Sequence, residues 1–113
     1  MTAQKLKHFP NRILERWNGG NVKLWAYSVT HRSLTLRIER PGIEGNLHIY
    51  CSADHIRCPT SWNKSDITIE RLESSSEYII RDDPAGVEIR GACVELRENV
   101  PPVYIGVDFD SVV

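Results

Sequence analysis

The chain has 113 residues, a net charge of −1, 41% hydrophobic and 26% charged residues. That length suits one domain, 1–113, and gives a core that needs neither disulfide nor metal. The near-neutral balance excludes a global field drawing the protein onto nucleic acid or an anionic membrane, and no run reaches the roughly 20 apolar residues of a membrane helix.

Residues 1–8 are polar and read as a frayed tail without a signal-peptide core, so a cytoplasmic location is expected. In "PNRILERWNGG", Asn11 is placed to cap a short helix. Ile13, Leu14 and Trp17 share one helical face, and Gly19-Gly20 ends it. Two turns are not stable alone, so this helix is expected to pack on the rest of the fold.

After Gly20 the period changes to 2. "NVKLWAYSVT" has Leu24 and Ala26 on one face and Trp25, Tyr27 and Val29 on the other. "THRS" reads as a tight turn. "SLTLRIER" sets Leu34, Leu36 and Ile38 against Thr35, Arg37 and Glu39, a strand with one wet face. "PGIEGN" is a turn, and "LHIYC" follows with Leu47, Ile49 and Cys51 on one side. "SDITIERL" and "EYIIRDD" are strands, and "DDPAG" is a turn in which Asp82-Asp83 serves turn chemistry. "VEIRGACVEL" begins with Val87 and Ile89 on one face and shifts to Ala92, Val94 and Leu96, which predicts a bulge at Gly91. "VYIGVDF" alternates Val103, Ile105, Val107 and Phe109.

The cadence of about seven or eight short strands predicts a mainly β (α+β) domain, an antiparallel β-sandwich or partly open barrel carrying one short N-terminal helix. Its core is expected to hold Leu24, Leu34, Leu36, Ile38, Leu47, Ile49, Ile67, Ile69, Ile80, Val94, Val103, Ile105 and Val107.

"CSADHIRCPTSW" is the stretch most suggestive of chemistry. His48, Cys51, His55 and Cys58 have the two-sulfur, two-nitrogen composition of a zinc site. Strand parity opposes it, because His48 and Cys51 point to opposite faces. A turn at Ser52-Ala53-Asp54 is what would bring part of the set together. Both cysteines fall on apolar faces, where a thiol acts as a small hydrophobe. The spacing is not C-x-x-C, and an odd total of three cysteines suits a reducing compartment. The favoured reading is buried structural cysteine, with no cofactor and with Trp62 folded over the core.

Asp108 and Asp110 share a strand face and could hold an ion, though a solvated strand end explains them as well. No nucleophile elbow and no glycine-rich phosphate loop is present, so no enzyme activity is expected.

The charge is uneven. Residues 1–32 hold six cations against Glu15, and residues 77–113 hold three arginines against eight acids. The ends could neutralise one another within the chain or across two copies. The leading expectation is a non-enzymatic interaction module that binds another protein or a second copy of itself as a homodimer. The alternative is nucleic-acid binding through a basic face of Lys5, Lys7, Arg12, Arg16 and Lys23, with Trp25 or Tyr27 stacking bases.

Overall fold

The fold is known from a computed structural model that describes residues 4–5, 11–72 and 76–101. Its elements are β1 (Gln4–Lys5), α1 (Asn11–Trp17), β2 (Asn21–Ser28), β3 (Ser33–Glu39), β4 (Leu47–Arg57), β5 (Ser61–Trp62), β6 (Thr68–Arg71), β7 (Tyr78–Asp82) and β8 (Val87–Glu98). A short 3-10 turn, Asp83–Ala85, joins the last two strands. Eight strands form one antiparallel sheet in the order β1-β6-β7-β8-β4-β3-β2-β5. The sheet curls into a half-barrel, so the partly open barrel is the architecture formed. Within the stretch read as a frayed tail, Gln4 and Lys5 pair with Arg71 and Glu70. The rest of residues 1–8 lies outside the described residues.

The long β4–β8 ribbon is the spine. Leu47 to Ser52 of β4 pair with β3 on one side, while Val87 to Gly91 of β8 pair with β7 on the other. Register shifts fall between Cys51 and Ser52 and between Ala53 and His55. Bulges of this kind bend the strand and increase its twist, which lets one ribbon serve both halves of the curled sheet. β4 therefore runs on through Ser52-Ala53-Asp54 to Arg57, where the sequence leaves room for a turn.

The predicted bulge on β8 is displaced. Ala92 pairs with Ser52 and Val94 with Cys51, so Cys93 is the extra residue, with φ +55°. Gly91 has a different duty. A Cβ there would sit on the Ser52 carbonyl oxygen, so only glycine lets the two backbones approach this closely.

The concave face holds the core. Leu34, Leu36, Ile38, Leu47, Ile49, Ile67, Ile69 and Ile80 are buried as expected, joined by Val22, Cys51, Ala53, Trp62, Val87 and Ile89. Leu24 and Val94 are only half-buried, and Val103, Ile105 and Val107 lie outside the described residues. β2 departs from the expected parity because its register slips between Leu24 and Ala26. Trp25 is the added residue. Tyr27 then returns to the Leu34 side instead of sharing a face with Trp25.

α1 closes one end of the barrel. Leu14 and Trp17 are buried, full burial of a side chain such as Leu14 contributing about 1.5–3 kcal/mol, and Ile13 packs partly buried against the same cluster. Gly19 takes φ +93° and stops the helix. Asn18 then acts as a strand partner in miniature: its Nδ2 donates to the Ile67 carbonyl at 3.0 Å, and its Oδ1 accepts from the Ile67 N–H at 2.8 Å. Trp17 Nε1 donates to Glu98 Oε2 at 2.7 Å, tying the helix to the end of β8.

Candidate functional site

The zinc-like set is dispersed. His48 and Cys51 lie on opposite faces of β4, as parity requires: His48 is paired with Arg37 and Cys51 with Leu34. His55 is exposed on the convex face, 3.9 Å from Glu88. Cys58 packs against the core just past β4. Among the described residues no three His, Cys, Asp or Glu side chains converge as ion ligands. Burial, followed by the charge of Asp54 and then Cys93, pushes the Cys51 thiol up to about 11; burial also raises Cys58. Asp108 and Asp110 lie outside the described residues.

The basic face is scattered in the same way. Arg12 and Arg16 are exposed on α1, and Lys23 is exposed on β2. Arg16 Nη1 is 2.9 Å from Glu98 Oε2, so the basic start and the acidic end meet within one chain at this point. Lys5 is placed on β1, and Lys7 lies outside the described residues. Trp25 has the Arg37 guanidinium over its ring, 4.8 Å from the centroid.

That contact belongs to a cluster on the convex face, which the alternation of β3 marks as wet. Arg37 is 5% exposed and Thr35 8%, so the expected open face is covered. Arg37 Nη1 lies 3.1 Å from His48 Nε2, and Arg37 Nη2 donates to Glu39 Oε2 at 3.1 Å. His48 Nδ1 lies 3.0 Å from the Tyr50 hydroxyl. Both ring nitrogens are thus engaged, which makes His48 a bracing group rather than a free base. Burial above all, then Arg37, lowers its pKa to about 4 against the opposing charge of Glu39. The end of β8 is pinned beside the cluster by Asn46, whose Nδ2 donates to the Val100 carbonyl at 2.9 Å and whose Oδ1 accepts from the Val100 N–H at 3.1 Å.

Beside this braced face lies an open strand edge. β5 pairs with Val22 and Lys23 alone, and the Leu24 N–H donates to the Thr60 carbonyl at 2.8 Å. From Trp25 to Ser28, β2 has β3 on one side and no second strand among the described residues. Tyr27 is 45% and Val29 76% exposed. These are the large apolar side chains left open to water among the described residues: Tyr27 sits on that edge, and Val29 lies in the turn just beyond it. Alternation gives Tyr27 and Val29 a face but not an edge, since strand order is not written in it. The available signal was the uncharged run "WAYSVT".

A second feature escaped for the same reason. Arg57 of β4, Arg81 of β7 and Arg90 of β8 lie around Glu88 on the convex face, at 3.9, 4.0 and 3.0 Å. Burial alone would raise the Glu88 carboxyl. Arg90, by charge and hydrogen bond, overrides it together with Arg57 and Arg81, and holds Glu88 below the usual carboxylate range.

No helix among the described residues is long and apolar enough to cross a membrane. Comparison with family models, curated proteins and solved structures gives no match.

Proposed function

We propose that the protein is a non-enzymatic interaction module that pairs with a second copy of itself along the open edge of β2. The observation that carries this is the coincidence of a backbone edge with no second strand among the described residues, Trp25 to Ser28, with exposed Tyr27 on it and exposed Val29 in the turn that follows. Such an edge offers N–H and C=O groups to an added strand, and natural proteins guard it with charges or proline when no partner is meant to bind. Trp25 to Thr30 contains neither. Two copies meeting antiparallel about a two-fold axis would therefore meet no like charges within that segment. Three free thiols suit a module working in a reducing cytosol.

Sedimentation of the purified chain from low micromolar to near-millimolar concentration tests the proposal. The expected result is a concentration-dependent dimer that Val29→Lys and Tyr27→Lys return to monomer with the fold intact. A strict monomer throughout, or a dimer indifferent to both substitutions, would overturn it.

A further inference from the structure

Away from the β2 edge in the strand order, the adjacent strands β7, β8 and β4 gather cations on the convex face. Arg57 reaches within 3.9 Å of the Glu88 carboxylate, Arg81 within 4.0 Å and Arg90 within 3.0 Å. His55 Nε2 is 3.9 Å from the same carboxylate. The counter-charge is smaller: Glu88 serves all three arginines, and Glu70 Oε1 lies 3.6 Å from Arg81. The side chains of Arg57, Arg81 and Arg90 remain 67%, 36% and 42% open to water.

The donors also outnumber the acceptors. A guanidinium carries five N–H donors. Here Arg57 Nε donates to the Gly86 carbonyl at 3.3 Å and Arg90 Nε to Glu88 Oε2 at 3.0 Å. Arg81 reaches its carboxylates only at ion-pair distance. Glu88 therefore holds three forks in place without using up their hydrogen bonds.

We propose that Arg57, Arg81 and Arg90 form a docking site for a phosphorylated segment of a partner protein, with the phosphate seated over the three guanidinium groups. The three forks arrive from three neighbouring strands and converge on one small volume. A tetrahedral dianion offers three oxygens in three directions, whereas a planar carboxylate matches a single fork. Arginine rather than lysine supplies every cation of the trio, as geometric recognition of phosphate requires. A nucleic-acid strand would need stacking platforms as well. Of the tyrosines on these three strands, Tyr78 packs against the core, and Tyr50 is engaged by His48 and by the Arg97 guanidinium over its ring. The site shares no residue with the β2 edge, so it stands or falls apart from self-association.

The test uses a short capped phosphoserine peptide, its unphosphorylated counterpart, inorganic phosphate and a single-stranded oligonucleotide, each titrated into the full chain while arginine side-chain N–H signals are followed by NMR. The expected result is saturable binding of the phosphopeptide, tighter than that of inorganic phosphate, with shifts at Arg57, Arg81 and Arg90. Arg57→Gln and Arg90→Gln should each weaken it about tenfold, while Arg12→Gln on α1 leaves it unchanged. Both replaced side chains are well exposed, and unchanged melting curves would show that the fold is kept. Non-saturable shifts, equal binding of the unphosphorylated peptide, binding of inorganic phosphate as tight as that of the peptide, or equal losses in Arg12→Gln would overturn the proposal. Preference for the oligonucleotide would overturn it in favour of nucleic acid.

Discussion

Arg37 Nη1 lies 3.1 Å from His48 Nε2, and that one contact settles the state of the imidazole. A guanidinium only donates, so Nε2 must carry a lone pair. The proton then resides on Nδ1, which donates to the Tyr50 hydroxyl at 3.0 Å. A second proton on the ring would face Arg37 at hydrogen-bond distance in a fully buried position. The chain thus keeps a neutral histidine as the brace between β3 and β4 on the convex face, with Trp25 packed under the same guanidinium.

This brace makes stability depend on pH. His48 takes up its proton near the ordinary 6.5 in the unfolded chain and only near 4 in the folded one. Between those values the unfolded state binds more protons, so stability falls as pH falls. The contribution is fully present above about 6.5 and declines towards 4 by roughly 3 kcal/mol. Urea unfolding at a series of pH values should show this loss beginning above the range in which carboxylates titrate. His48→Gln should be less stable at neutral pH yet flat between 6.5 and 5. A parent protein already flat over that interval would disprove the account.

Asp82 is the second brace. Its Oδ2 accepts from Trp62 Nε1 and from the Asp66 N–H, both at 2.8 Å, at a position 1% exposed. It joins β5, the strand at one edge of the sheet, to β7 near the other, and it fixes the segment between β5 and β6 on which α1 docks. Asp82→Ala would strand two donors, so a loss of roughly 2–4 kcal/mol is expected in chemical denaturation. Asp82→Asn retains a carbonyl acceptor for both and should lose less. Equal losses for the two variants would mean that the acceptor is not what matters.

The legibility of the sequence follows the range of the interaction. Local signals held: the short helix that carries Ile13, Leu14 and Trp17, the stop at Gly19, the alternation of β3 and β4, and the opposition of His48 and Cys51 all rest on neighbours in the chain. Features set by distant partners did not show. Arg37 looks solvated by alternation because its cover comes from Trp25, His48 and the Val100 carbonyl. Asp82 looks like turn chemistry because Trp62, twenty residues earlier, supplies its partner. Gly91 looks like a bulge because glycine marks both bulges and close approaches, and only the Ser52 carbonyl decides which. Arg57 is more than twenty residues from Arg81 and Arg90 along the chain, whereas on the sheet the three stand around Glu88. The open edge of β2 depends on where β5 stops, and no periodicity records that.

The cysteines allow the two readings of "CSADHIRCPTSW", ligand set or buried structural cysteine, to be tested by reactivity. Cys51 is 4% exposed on the concave face, with its thiol pushed up to about 11 by burial, Asp54 and Cys93. Cys58 is half-buried against the core and raised by burial. Cys93, the extra residue of the β8 bulge, is exposed. The thiolate is the reactive species, so burial and a raised pKa both act against reaction at Cys51, and exposure ranks it last. With an aromatic disulfide reagent at mildly alkaline pH, one thiol of the three should react at once, and Cys93→Ser should abolish that phase. Cys51 and Cys58 should react only after unfolding in guanidinium. Rapid modification of Cys51 in the folded protein would place it at a surface instead and reopen the stretch as a reactive site. Slow reaction would leave it as a core side chain whose sulfur packs between Leu34 and Val94, its register partners on either side.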